Sequence, residues 1–249
     1  IVDGTSTGEI TYNRKLPTEN WYLVSSPLSE EDMTGMNANN NFADGSVENR
    51  IGFATYNLDE NGTASWNYFT NSSSDNLIEG KGYSAKLSSP GDSNSFTGKL
   101  NTNDVVIENL DEGFNLIGNP FTSFIFVNPF LQTTTNSNID QSQIWLWNQH
   151  ISDYETKLSD ETWGIPPAQG FFVNVKSAGS ITFSKSNQET AGDPFQKSSR
   201  TELKLWVNDG ELNRYSKIYY TDAATKDFDY GWEGEVFGAV VNGIETPLT

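Results

Sequence analysis

His150 is the sole histidine of a 249-residue chain that contains no cysteine. A Ser-His-Asp triad would need that imidazole as its general base. It lies in Asn148-Gln149-His150-Ile151-Ser152, with no nucleophile-elbow pattern beside it, so the plain reading is a loop position following a strand. One histidine without thiols leaves zinc and iron–sulfur sites short of donors. Disulfides and thiol nucleophiles are excluded outright. Paired carboxylates are the remaining enzymatic option, because glycoside hydrolysis needs only two acids about 5–10 Å apart. The densest group is Asp227, Asp229, Glu233 and Glu235, in Asp227-Phe228-Asp229-Tyr230-Gly231-Trp232-Glu233-Gly234-Glu235. On extended backbone Asp227 and Asp229 would share a face. With 33 acids in the chain such clusters arise readily, and a solvated, turn-rich acidic segment accounts for this one. Its hard oxygen donors would also suit a structural calcium, although the spacing matches no standard calcium loop. Asp59-Glu60-Asn61-Gly62 opens like such a loop but lacks the later Glu, and reads better as a hairpin turn between Tyr56 and Trp66. The expectation is a protein that is not an enzyme, with no catalytic or cofactor-binding residue assigned.

Binding chemistry is carried by aromatics. Trp66 and Tyr68 alternate along one predicted strand face, and Trp145 and Trp147 along another. Such pairs suit stacking on a sugar, and they equally suit a β core. Because both pairs fall at equivalent places in a repeat, described next, they are read as mostly core. Asn61-Gly62-Thr63 and Asn71-Ser72-Ser73 match the glycosylation sequon, which matters only in a eukaryotic secretory route.

These residues need elements to hold them. Apolar residues make up only 35% of the chain while aromatics reach 13%, so a few large side chains must carry the burial. Asn, Ser, Thr and Gly crowd between short apolar runs, as in strands joined by many turns. Trp21-Tyr22-Leu23-Val24-Ser25-Ser26-Pro27-Leu28 matches Phe114-Asn115-Leu116-Ile117-Gly118-Asn119-Pro120-Phe121. Thr55-Tyr56-Asn57 matches Leu146-Trp147-Asn148, and Gly80-Lys81-Gly82-Tyr83-Ser84-Ala85 matches Ala168-Gln169-Gly170-Phe171-Phe172-Val173. Ser95-Phe96-Thr97-Gly98 resembles Ile181-Thr182-Phe183-Ser184. The matches keep their order, which indicates an internal duplication. Each half begins with an aromatic-led strand stopped by proline, then has a Trp/Tyr strand and a Gly-aromatic strand, where the glycine suggests a tight turn or bulge. The run Phe171-Phe172-Val173, apolar on both faces, suits an inner strand. Amphipathic helices are absent, except that 29–36 could make a short turn capped by Ser29 with Asp32 three residues on.

The expected fold class is all-β: a β-sandwich or jelly-roll-like duplicated unit over 1–190, with halves at about 10–100 and 105–186. A polar boundary at 187–199 precedes the start of a second β-sandwich domain, truncated, over 200–249. There Glu202-Leu203-Lys204-Leu205-Trp206-Val207 alternates, Asn208-Asp209-Gly210-Glu211 signals a hairpin, and the return strand is placed at 216–221. The net charge of −18 disfavours nucleic acid and anionic membranes as partners. No run has the length of a membrane helix; the richest, 121–131, is interrupted by Ser123, Asn128 and Pro129. A start at Ile1 and an end at Thr249 in mid-pattern read as a piece of a longer precursor.

The ordered set Asn20-Trp21-Tyr22-Leu23-Val24-Ser25-Ser26-Pro27, Gly113-Phe114-Asn115-Leu116-Ile117-Gly118-Asn119-Pro120, Ile144-Trp145-Leu146-Trp147-Asn148 and Pro166-Pro167-Ala168-Gln169-Gly170-Phe171-Phe172-Val173, followed by the 223–235 stretch, resembles a region of large secreted proteins of Bacteroidota, especially flavobacteria. In that family the region lies upstream of a C-terminal sorting domain that directs export through the type IX secretion system. The resemblance implies a secreted or cell-surface cargo at the outer face of the outer membrane, stalk- or adhesin-like and concerned with attachment or gliding motility. Its implied partners are translocon components, reached through a downstream sorting domain that is not recognisable in these 249 residues. The alternative expectation is a carbohydrate-binding module of a secreted polysaccharide-processing protein, with a surface glycan as partner.

Overall fold

The computed structural model describes residues 4–47, 49–59, 62–149 and 153–190, and beyond them only the backbone of a few strands between 202 and 245. The fold is all-β, and no helix among the described residues is long and apolar enough to cross a membrane. The first half contributes β1 (Glu9–Lys15), β2 (Tyr22–Val24), β3 (Leu28–Ser29), helix α1 (Met33–Asn39), β4 (Arg50–Leu58), β5 (Ala64–Thr70), β6 (Tyr83–Ala85) and β7 (Ser93–Leu100). The second contributes β8 (Val105–Leu110), β9 (Gly113–Gly118), β10 (Phe124–Phe126), helix α2 (Val127–Leu131), β11 (Gln143–Asn148), β12 (Asp153–Leu158), β13 (Gly164–Ile165), β14 (Gly170–Val175), β15 (Gly179–Phe183) and β16 (Gln188–Glu189).

Each half builds a four-stranded antiparallel sheet, ordered β2-β6-β4-β5 in the first and β9-β14-β11-β12 in the second. These orders correspond strand for strand. The opening strand of each half also pairs with its last long strand, β1 with β7 and β8 with β15. The halves differ at the strand after the proline. β3 joins β7, whereas β10 pairs with β13 and β16. Downstream, β17 (Glu202–Asn208) and β18 (Asn213–Tyr219) form a hairpin with Asn208 opposite Asn213. The return strand thus begins three residues earlier than the alternation suggests.

Strand alternation sorts the side chains into three apolar layers. In β11, Ile144 and Leu146 enter the core of the second half with Phe130, Phe171, Val173 and Phe183. In β4, Ile51 and Phe53 enter the core of the first half with Met33, Met36, Tyr83 and Phe96. The opposite faces of the two sheets meet in a third layer of Leu23, Tyr56, Leu116, Trp145 and Phe172, flanked by Trp66, Phe114, Trp147 and Tyr154. Phe172 meets Tyr56 across the halves edge-to-face, with centroids 4.9 Å apart at 84°, the geometry aromatic quadrupoles favour. Burial in this layer pushes the phenol of Tyr56 well above its ordinary range.

The halves also touch backbone to backbone around a local two-fold. Val24 bridges to Gln169, and the matching Ile117 bridges to Lys81. The N–H of Ser25 donates to the Ala168 carbonyl at 3.2 Å, and that of Gly118 donates to the Gly80 carbonyl at 2.8 Å. Ala168 and Gly80 share the left-handed conformation, with φ of 61° and 74°. The glycines before the aromatics exist for this contact. A Cβ on Gly82 would lie 2.6 Å from the Ile117 carbonyl oxygen, and one on Gly170 would lie 2.8 Å from that of Val24. The tight turn expected from sequence precedes each glycine, with the Lys81 N–H donating to the Ile78 carbonyl at 3.1 Å and that of Gln169 to the Pro166 carbonyl at 3.2 Å; the close approach of the opposite half is the further reason for glycine.

Two local expectations are corrected. Helix α1 is capped by Asp32, whose carboxylate accepts from the Gly35 N–H at 2.7 Å, while Ser29 belongs to β3 and donates to the Lys99 carbonyl. The carboxylate satisfies an orphan donor and, as an anion, suits the helix start. Asp32→Ala is expected to lower stability by about 1 kcal/mol, read from urea unfolding midpoints; an unchanged midpoint would count against the cap. Beyond 29–36 no helix is expected, yet helix α2 occupies part of the 121–131 apolar run. Pro129 sits in its first turn, where a missing N–H is tolerated, and Val127, Phe130 and Leu131 are buried.

Candidate functional site

On β5, Ala64, Trp66 and Tyr68 point to the same side. Trp66 pairs with Tyr56 in the register of β4 and packs against the shared aromatic layer. Tyr68, two residues on, lies at the margin of that layer and is 39% exposed. The second sheet does not cover this end of the first one, and a cleft of about 240 Å³ remains there. Its walls include Trp21, Tyr68, Arg50, Lys86, Asp44 and Val47, with Gly45 and Gly52 at its base.

The base is glycine because three backbone segments crowd together. A Cβ on Gly52 would sit 2.3 Å from the Lys86 carbonyl oxygen and 3.2 Å from the Ala43 nitrogen, and one on Gly45 would meet Arg50 at 2.7 Å. Those segments are hydrogen bonded to each other. Gly45 N–H donates to the Arg50 carbonyl, Gly52 N–H to that of Ala43, and Lys86 N–H to that of Gly52, each at 2.7 Å. The β4–β5 register also slips between Arg50 and Ala54. Such irregularities re-aim side chains at a sheet edge.

The aromatic wall is a corner. Trp21 and Tyr68 have ring centroids 5.8 Å apart and planes at 65°. The Arg50 guanidinium lies 5.7 Å from the centroid of the Tyr68 ring, within cation–π range. Neither Arg50 nor Lys86 is in an ion pair among the described residues. Trp21 is held from the opposite half: the Gln149 side-chain amide donates to the Trp21 carbonyl, and the Thr18 hydroxyl donates to the Gln149 side-chain oxygen. Within the first half, the Thr18 N–H donates to the Tyr22 hydroxyl at 3.0 Å. Among the described lining residues two cations, Arg50 and Lys86, stand with one acid, Asp44, in a chain of net charge −18.

The aromatic pairs singled out from sequence are not repeat equivalents: Trp145 and Trp147 lie on β11, whose counterpart is β4, whereas Trp66 and Tyr68 lie on β5. Trp145 is 4% exposed and lies in the shared layer; Trp66 and Trp147 pack partly against it. Only Tyr68 reaches the cleft, and its partner is Trp21, which sequence reading treated as the opening of an apolar strand. The one available signal was that the β5 alternation continues past Trp66. Arg50 and Lys86 carried no sequence signal. His150 and the acidic group Asp227, Asp229, Glu233 and Glu235 lie outside the described residues, as do Glu60 and Asn61. The calcium expectation concerns that acidic segment and so lies outside the described residues; among the described residues no group of three His, Cys, Asp or Glu side chains is placed to hold a metal. Asp59 makes a turn, its carboxylate and carbonyl accepting from Thr63 and Gly62 N–H at 2.7 and 2.9 Å. No protein-family model matches the chain, and no curated protein or solved structure matches it either.

Proposed function

We propose that this chain is a non-catalytic, extracellular module of a type IX secretion cargo, a stalk- or adhesin-like segment displayed at the cell surface. It is built from a duplicated β unit over 1–190, with halves at about 10–100 and 105–186, followed by the beginning of a second β domain over 200–249. The observation that carries the reading is the joint between the halves. Two sheets share one aromatic layer and are bridged main chain to main chain at Val24–Gln169 and Ile117–Lys81. A joint of this kind resists hinge motion, because bending it would break backbone hydrogen bonds and open packed aromatic surface. Rigidity is what a spacer or display segment requires. The resemblance of the strand motifs to the region upstream of a sorting domain supports the export route and makes translocon components the partners.

Antibodies against residues 4–190 are expected to label intact cells of the source organism, and to lose that labelling when the type IX translocon is disabled. Labelling seen only after lysis, or unchanged by the translocon defect, would overturn the reading. The Trp21–Tyr68 cleft favours a second reading, a carbohydrate-binding module within the same surface protein, because it places the half-buried Trp21 and exposed Tyr68 rings beside polar side chains.

A further inference from the structure

We infer that the cleft between Trp21, Tyr68, Arg50 and Lys86 binds an acidic saccharide, one uronate or sulfated ring of a longer glycan chain. The inference rests on the carbohydrate-binding reading and supplies its ligand class. Four observations lead to it. The base of the cleft is main chain whose polar groups are already used: the N–H groups of Gly45 and Gly52 and the carbonyl of Gly52 are all taken up within the sheet. A peptide strand adding there would find few free edges, so recognition falls to the walls. Those walls offer ring surface from Trp21 and Tyr68, suited to the C–H face of a pyranose. They also offer two cations with no ion-pair partner among the described residues. Arg50 lies over the Tyr68 ring, and a guanidinium held there carries N–H donors that suit a planar carboxylate or a sulfate. Finally, about 240 Å³ is below the ~300–1,000 Å³ usual for pockets that enclose a whole small molecule. One sugar ring of a chain continuing into solvent fits that size.

The local charge matters more because the rest of the surface is acidic. At a net −18 the protein repels anions at long range. Binding of an acidic glycan then depends on the short-range pair Arg50 and Lys86. It should show a steep loss when either is neutralised, and salt should act on both the attraction and the background repulsion.

The test is calorimetric titration of the whole chain with an oligogalacturonate, its fully methyl-esterified form, a neutral hexo-oligosaccharide and oligoglutamate, all of similar length. The expected result is binding of the oligogalacturonate, weakened at least tenfold by esterification, with the neutral sugar and oligoglutamate weaker still. R50Q with K86Q, and separately W21A, should each reduce affinity for the acidic sugar at least tenfold while the melting temperature holds. Should either variant fail to fold, V47E provides the second probe. Val47 is 51% exposed at the cleft, so the added carboxylate should repel the ligand without touching the core. Equal binding of acidic and neutral sugars, lost together in W21A, would overturn the acidic class and leave the carbohydrate reading standing. Oligoglutamate binding as tightly would overturn a saccharide ligand. Sugar binding unaffected by all the variants would place it elsewhere, and no sugar binding at all would sink both readings.

Discussion

Replacing Gly118 by alanine is expected to destabilise the protein by about 3 kcal/mol, the upper end of what overpacking a tight core costs. Gly118 and its repeat counterpart Ser25 face each other at the local two-fold. A Cβ on Gly118 would lie 2.3 Å from the Ser25 Cβ and 2.7 Å from the Gln169 carbonyl oxygen. Neither can step aside cheaply, since Ser25 donates to the Lys81 carbonyl at 2.9 Å and Gln169 bridges to Val24. Ser25→Gly should cost about 1 kcal/mol alone, through the lost hydrogen bond and added backbone entropy. Combined with Gly118→Ala it should recover part of the loss, and a double-mutant cycle on urea unfolding energies measures the coupling. Gly8 has nothing within 4 Å of its would-be Cβ, and Gly8→Ala serves as the control, within about 0.5 kcal/mol of the parent. A Gly118→Ala cost below about 1 kcal/mol, or additive effects of the pair, would show that the halves are not locked there.

Acid should stabilise this protein between pH 8 and pH 4.5, and Glu31 is the main reason. Its side chain is 3% exposed, with one oxygen accepting from the Ser26 hydroxyl and the other from the Thr97 N–H, each at 2.8 Å. Burial pushes the carboxyl up to about 7, against the opposing pull of those two hydrogen bonds and with a small push from Asp32. A folded-state value above the unfolded one means the folded protein binds the proton more tightly. Above pH 7 the full cost of a buried carboxylate is present. As pH falls from about 7 to about 4.5, stability rises by about 3 kcal/mol and then levels off. Glu31→Gln should abolish this part of the profile and exceed the parent in stability at pH 8. Glu31→Ala should be less stable than Glu31→Gln at every pH, because the Thr97 N–H is left buried without an acceptor. The decisive measurement is the difference between parent and Glu31→Gln unfolding energies across pH 4.5–8, and a flat difference would refute the assignment. Glu79, also raised chiefly by burial, contributes with the same sign in both proteins and so drops out.

Several features were legible because they depend on near neighbours in the chain. Alternation alone sends Trp145 and Trp147 to one side of β11 and Ile144 and Leu146 to the other. The two-sided run Phe171-Phe172-Val173 forms β14, between β9 and β11. Asp59 and Gly62 make the turn their types suggest. The boundary errors are local as well. Several side chains could cap α1, and the nearer one, Asp32, does so. The short helix α2 gives no amphipathic period in the sequence, and its first turn accommodates Pro129.

What the sequence by itself determined is therefore the all-β class, the alternating faces and the order of repeated motifs, since each follows from a period of two and from turn chemistry within a few residues. What only the tertiary structure decided is which faces meet. Gly82 and Gly170 are glycines because backbone from the opposite half arrives there, and Gly118 because the Ser25 side chain does; nothing adjacent in the chain records that approach. Glu31 looks like any surface acid until Ser26 and Thr97, the latter 66 residues away, close over it. Trp66 and Tyr68, equivalent by alternation, part company because the second sheet covers one and stops short of the other. The cleft with Trp21, Arg50 and Lys86 is a product of that incomplete cover.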